Sequence, residues 1–232
     1  MSDIENPIFC ALDLRDLNAA VALANDLRGS IGGIKLGMEF FYTHGGEGYL
    51  KVAQAGLPIF LDLKFHDIPN TVAGAVRALL PLEPALLTLH ISGGSAMMSA
   101  ARSAAQDAKT PPALIGVSVL TSLNEDDLGQ MGVSGSVQNQ VSTLARLAQS
   151  AGLDGAVCSP MEIEQLRANC GEKFQLIVPG IRPEGADTQD QKRVMTPRQA
   201  RDLGANILVI GRPIVQADDP VAAAQDIVKS LG

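Results

Sequence analysis

Short apolar, β-prone runs recur at about residues 8–13, 31–36, 58–64, 85–90, 113–119, 155–158, 174–178 and 206–210, separated by Ala- and Leu-rich stretches with helical spacing. Between Asp16 and Gly29, for example, Leu17, Ala20, Val21, Ala24 and Leu27 recur at intervals of three and four, as on one buried helix face. A last helix is expected from about Pro220 to Leu231. Eight strands alternating with helices in 232 residues fit a closed α/β barrel, the (β/α)8 TIM barrel, better than an open doubly wound sheet, which usually has fewer strands. No composition break or linker rich in Pro, Gly or Ser divides the chain, so residues 1–232 read as a single domain.

Polar residues interrupt these apolar runs near their C-terminal ends, the face on which barrels of this type build active sites. Asp13 closes the first run, Lys35 the second, and Asp62 and Lys64 the third. Side chains two apart on a strand share a face, so Asp62 and Lys64 point one way while Leu61 and Leu63 point the other. Burying such charges is costly unless they are paired. Opposite charges about 4 Å apart gain on the order of 4 kcal/mol at an effective dielectric of 20, so an alternating chain of Lys and Asp is tenable. Asp67 lies beyond the strand, and Pro69 suits the first turn of a helix, which puts the second carboxylate on a strand-to-helix loop.

Three chemistries compete for this cluster besides a purely structural ion-pair network. A Schiff base on Lys64 needs a depressed lysine pKa, which two adjacent carboxylates oppose. A metal held by His66, His90, Asp62 and Asp67 would be repelled by the ammonium among its ligands. Lys64 is best suited to remain an ammonium that stabilises negative charge and donates a proton. His44 has no partner in view and reads as a surface loop residue.

Two strings late in the chain resemble anion cradles: Pro179-Gly-Ile-Arg182 after the seventh run and Ile210-Gly-Arg212 after the eighth. Gly180 and Gly211 allow close backbone approach, Arg182 and Arg212 add guanidinium forks, and loops after strands seven and eight commonly hold phosphate in this barrel. The stretch from Pro183 to Met195 lacks an apolar period and is long for such a loop; it reads as a lid from which Gln191 reaches a phosphate. Ser92-Gly-Gly94 is a rival anion nest without an arginine. Thr121 and Ser122 close the fifth run, either as site hydroxyls or as ordinary helix caps.

Composition narrows the partners. A net charge of −7 argues against broad nucleic-acid or anionic-membrane binding, so an anionic substrate must be held locally. Cys10, Cys158 and Cys170 show neither CxxC nor metal-like spacing and read as packing residues in a reducing compartment. No apolar run approaches the roughly 18 residues of a membrane span, and the N-terminus lacks a basic region followed by an apolar stretch. A cytoplasmic location is expected.

Taken together, Asp62-Leu-Lys-Phe-His-Asp-Ile-Pro-Asn-Thr71, the Ala11-Leu-Asp13 strand, Ile34-Lys35-Leu-Gly37, Val119-Leu-Thr-Ser122 and the two cradles resemble the bacterial-type orotidine 5′-phosphate decarboxylase family, in order and over nearly the whole chain. The resemblance implies a homodimeric barrel, without cofactor or metal, that converts orotidine 5′-phosphate to uridine 5′-phosphate and carbon dioxide in pyrimidine synthesis. It implies that Lys64 protonates C6, with Asp62 near the departing group and Lys35 beside it. Asp67, Ile68 and Thr71 would enter the partner's active site. Asp13 would bind a ribose hydroxyl, Thr121 the pyrimidine, and Arg182, Gln191, Gly211 and Arg212 the phosphate side.

The nearest alternative is a sugar-phosphate decarboxylase or hexulose-phosphate synthase of the same superfamily, which shares DxKxxD but uses magnesium. That branch usually carries Ala after the second Asp, where Ile68 stands here. A non-catalytic phosphoribosyl sensor would keep Gly211 and Arg212 yet need not hold Lys64 between two carboxylates.

Overall fold

The computed structural model describes residues 5–183 and 195–232. Its chain runs β1 (Ile8–Ala11), α1 (Leu17–Asp26), β2 (Gly33–Gly37), α2 (Met38–Ala53), β3 (Ile59–Phe65), α3 (Pro69–Leu79), β4 (Leu86–His90), α4 (Gly94–Ala105) and β5 (Ala113–Val117). It continues with α5 (Glu125–Gln130), α6 (Val137–Ser150), β6 (Gly155–Val157), α7 (Ile163–Cys170), β7 (Gln175–Val178), α8 (Pro197–Asp202), β8 (Ile207–Ile210), α9 (Arg212–Val215) and α10 (Pro220–Lys229). Each strand pairs in parallel with the next, and β8 pairs with β1, closing the expected (β/α)8 barrel.

Strand alternation sorts the core into two layers. Ile8, Cys10, Ile34, Leu36, Leu61 and Leu87 belong to the larger apolar cluster, with the helix residues Ala24, Val76, Met98 and Ala145. Their neighbours Phe9, Ala11, Phe60, Leu86, Ile115, Ile177 and Val209 fill the barrel's lumen instead. Gly33 has no side chain because the Phe9 ring occupies the place of its Cβ, and a Cβ on Gly155 would collide with the Gln175 backbone carbonyl. At the N-terminal end, Arg167 ties the barrel floor together, donating to the carbonyls of Gly171 (2.7 Å), Phe174 (2.8 Å) and Gly204 (2.6 Å) and to Asn206 Oδ1 (2.7 Å).

The helix starts follow local chemistry. Asp16 Oδ1 accepts from Ala19 N at 2.9 Å to cap α1, Asp219 caps α10 in the same way, and Pro69 opens α3, where its missing N–H costs nothing.

Three expectations need correction. The first strand ends at Ala11, so Asp13 lies in the following loop; the last ladder bond there runs from Leu12 N to Lys35 O at 3.0 Å. The fifth ends at Val117, because the Ser118 side chain takes over the bond to Val157 O at 2.9 Å; Thr121 and Ser122 sit in an exposed turn, and Asn124 with Asp127 caps α5. His44 is not a loop residue: it lies in α2 just before the kink at Gly45, its Nε2 bonds Arg15 O at 2.9 Å, and its ring packs on Phe40.

Because the obstacle at Gly155 is backbone rather than a flexible side-chain tip, Gly155→Ala is expected to destabilise the barrel by about 1–3 kcal/mol. Thermal unfolding checks this, at roughly 2–4 °C in Tm per kcal/mol for a chain of this size.

Candidate active site

Lys35 and Asp62 rise from adjacent strands above the apolar filling of the lumen. In the β2–β3 register Lys35 lies opposite Phe60 and Gly37 opposite Asp62, so Lys35 is rooted one layer below Asp62 and its side chain rises to the carboxylate's level. Asp62 Oδ2 receives Lys64 Nζ at 2.7 Å and faces Lys35 Nζ at 3.9 Å, while Lys35 Nζ also contacts Asp13 Oδ1 at 3.4 Å. The order along the mouth is therefore Asp13, Lys35, Asp62, Lys64, alternating in sign throughout. Asp62 and Lys35 side chains are each 13% exposed, against 53% for Asp13. In so sheltered a place a lone charge would be untenable, and mutual pairing supplies what water cannot. Gly37 eases the convergence, since a Cβ there would lie 3.0 Å from Asp13 Oδ1 and 3.1 Å from Lys35 Nζ.

Simple strand alternation does not describe how Lys64 reaches its position. The β3–β4 register runs through Leu61↔Leu87 and resumes at Phe65↔Leu89, so Asp62, Leu63 and Lys64 lie opposite Thr88 alone. Within this bulge Lys64 adopts φ +53°, a left-handed conformation that costs a residue with a Cβ about 1–2 kcal/mol. Lys64 N donates to Thr88 Oγ1 at 2.9 Å, and Thr88 Oγ1 donates to Asp62 Oδ1 at 2.9 Å. Each carboxylate oxygen of Asp62 thus has a fixed partner.

The remaining candidates ring this centre unevenly. Asp67, Ile68 and Thr71 are exposed at the start of α3; Asp67 Oδ1 accepts from Ile68 N at 2.6 Å, and Ile68 is 66% exposed. Gly180 adopts φ +79°, left-handed backbone that glycine enters without a Cβ penalty. Arg182 is buried, however, and its Nη1 donates to Ile181 O at 2.9 Å; Arg182 N also bonds Met195 O. Gly211 caps α9 and packs against Ala11, and Arg212 opens that helix half-buried. Gln191, and most of the segment read as a lid, lie outside the described residues.

Residues 6–227 match the family described as "Orotidine 5'-phosphate decarboxylase / HUMPS family". The chain belongs to this family. Orotidine 5'-phosphate decarboxylase of Rhodospirillum rubrum is 55% identical over 98% of this chain and 94% of the relative, and that of Erythrobacter litoralis is 53% identical over 98% and 100%. The crystal structure of orotidine 5'-phosphate decarboxylase from Lactobacillus acidophilus superposes with a TM-score of 0.87 at 36% identity, covering 98% of this chain and 100% of that one.

Within this family member, sequence reasoning passed over Thr88 and gave Gly37 no role beyond its place in the Ile34-Lys35-Leu-Gly37 motif. Thr88 carried a signal, being the lone hydroxyl in Leu86-Leu-Thr-Leu-His90 and two residues before a histidine on the same face. His90 lies half-buried above it, its ring 5.2 Å from that of His66. Among the described residues no group of three or more His, Cys, Asp or Glu is gathered for a metal ion. Burial pushes the Cys10 thiol up to about 12, with the Asp13 carboxylate adding to the effect, which leaves it an inert packing group beneath the site.

Burial also lowers the His90 pKa below its ordinary 6.5, with the His66 and Lys64 charges adding to the effect and Asp62 opposing it. The folded state therefore binds this proton less readily than the unfolded chain. The stability contributed by neutral His90 is complete above about pH 6.5 and is lost as pH falls through the lowered value. NMR titration is expected to place the His90 midpoint below that of an unfolded-chain histidine, and His90→Gln to flatten the loss of denaturant stability on acidification.

Proposed function

We propose that this chain decarboxylates orotidine 5′-phosphate to uridine 5′-phosphate and carbon dioxide, the last step of pyrimidine nucleotide synthesis. The observation that carries the proposal is the alternating Asp13–Lys35–Asp62–Lys64 chain at the mouth of a barrel whose relatives bear that enzyme's name. Loss of carbon dioxide breaks the bond between C6 and the carboxyl carbon and leaves its electron pair on a ring carbon with no conjugated sink. The barrier reduction required lies toward the upper part of the roughly 8–23 kcal/mol that enzymes supply. A preorganised ammonium aimed at that carbon stabilises the pair as it develops. Lys64 fills this role and passes its proton to C6, then recovers one from solvent.

The other roles follow the motifs. Asp62 sits beside the departing carboxylate and Lys35 balances its charge. Asp13 takes a ribose hydroxyl, Thr121 the pyrimidine, and Arg182, Gly211 and Arg212 the phosphate side, with Gln191 assigned there by resemblance alone. A buried Arg182 acts by shaping its loop as much as by presenting a fork. Phosphate contacts far from C6 contribute binding energy that is used at the chemical step.

Asp67, Ile68 and Thr71 complete the site of a second copy in a homodimer, which fits their exposure at the start of α3. No helix of the described residues is long and apolar enough to cross a membrane, and this reading assigns the enzyme to the cytoplasm. No cofactor enters it.

Purified protein with added chelator is expected to consume orotidine 5′-phosphate, followed as loss of the orotate absorbance. A magnesium requirement would move the assignment to the sugar-phosphate branch of the family. For the shared site, mixing inactive Asp67→Ala and Lys64→Ala variants is expected to restore activity, since one of the two sites in a heterodimer is then intact. Verified heterodimers without recovered turnover would refute sharing.

A further inference from the structure

We propose that Thr88 is a positioning residue for the decarboxylation, a single hydroxyl that fixes both the Asp62 carboxylate and the backbone from which Lys64 projects. The inference rests on the activity proposed above and adds to it a residue that acts through Asp62 and Lys64.

The geometry is specific to a hydroxyl. Thr88 Oγ1 accepts from Lys64 N and donates to Asp62 Oδ1, each at 2.9 Å, so one atom serves both directions. Thr88 is 0% exposed, so bulk solvent does not reach it. Its position is forced by the register: Asp62, Leu63 and Lys64 share Thr88 as their only residue opposite on β4. The Lys64 N–H therefore has the Thr88 side chain as its partner, and the left-handed turn at φ +53° is held in place by that bond. Strained conformations persist only where their surroundings over-determine them. On the other side, the bond to Oδ1 sets the rotation of the carboxylate and leaves Oδ2 aimed at both ammonium groups.

The consequence concerns chemistry more than binding. Lys64 must meet C6 within hydrogen-bond reach, and small misplacements of reacting groups are expensive in rate. The hydrogen bonds of the Thr88 hydroxyl run to Lys64 and Asp62 and not to the groups assigned to the ribose and phosphate, so its loss is expected to weigh on kcat more than on KM.

Thr88→Val keeps the shape and deletes the hydroxyl, Thr88→Ala deletes the hydroxyl and a methyl, and Thr88→Ser keeps the hydroxyl. The expected result for Val is a kcat lower by about 10- to 100-fold, the range for one lost hydrogen bond to an ionised group, with KM close to wild type. Ser is expected to retain most of the wild-type kcat even though it lacks the methyl. Circular dichroism and thermal unfolding of each variant confirm that folded protein is assayed, and if Val does not fold, the comparison of Ala with Ser decides. Wild-type kcat in a folded variant without the hydroxyl would overturn the proposal, as would a rise in KM at unchanged kcat, or Ser falling as far as Ala. Wild-type protein is assayed in parallel: its inactivity would refute the decarboxylase reading itself.

Discussion

The pairing of the Asp62 carboxylate with two ammonium groups is the constraint around which the mouth of the barrel is organised. Lys35 and Asp62 are largely withdrawn from water and Lys64 partly so, and the 2.7 Å and 3.9 Å contacts give each charge an opposite partner. The fold meets that demand by topology. Neighbouring parallel strands begin on an apolar floor of Phe9, Phe60 and Leu86, and the residues two steps further along β2 and β3 are delivered to one rim. An absent side chain at Gly37 leaves room for the charges to approach.

That arrangement is obtained at a local cost. A lysine in left-handed backbone, on a bulge that breaks the β3–β4 ladder, is not what a stability-optimised strand would carry. The cost is localised to one residue and offset by the Thr88 hydroxyl, while the opposite end of the barrel shows the contrary policy. There Arg167 uses its guanidinium to satisfy carbonyls at 2.6–2.8 Å, and close glycine packing at Gly155 leaves no spare volume. Stabilising contacts gather at that face, while the strained lysine stands at the mouth, where barrel chemistry sits at the C-terminal ends of strands.

Much of this was legible before any coordinates. All eight strands overlap the predicted apolar runs, because strands buried on both faces read as short continuous apolar stretches, and Asp16 and Pro69 mark helix starts through chemistry confined to a single turn. The charge chain was legible because four polar residues recur at the ends of apolar runs. What escaped depends on contacts between segments: the bulge arises from register with β4, Thr88 acts across strands, and His44 finds Arg15 O from another element. Thr121 was overextended into β5 because Ser118 ends the ladder with a side-chain bond that apolar patterning does not reveal.

The central claim is that the Asp62–Lys64 pair is maintained for proton delivery to a carbanion rather than for folding. Turnover of orotidine 5′-phosphate by folded Lys64→Ala tests it most directly, measured against wild type with thermal unfolding of both. The account predicts a loss of about 10⁴-fold or more in kcat, combining proton donation with charge stabilisation, in a variant that still unfolds cooperatively. A folded variant that keeps most of its turnover would contradict it.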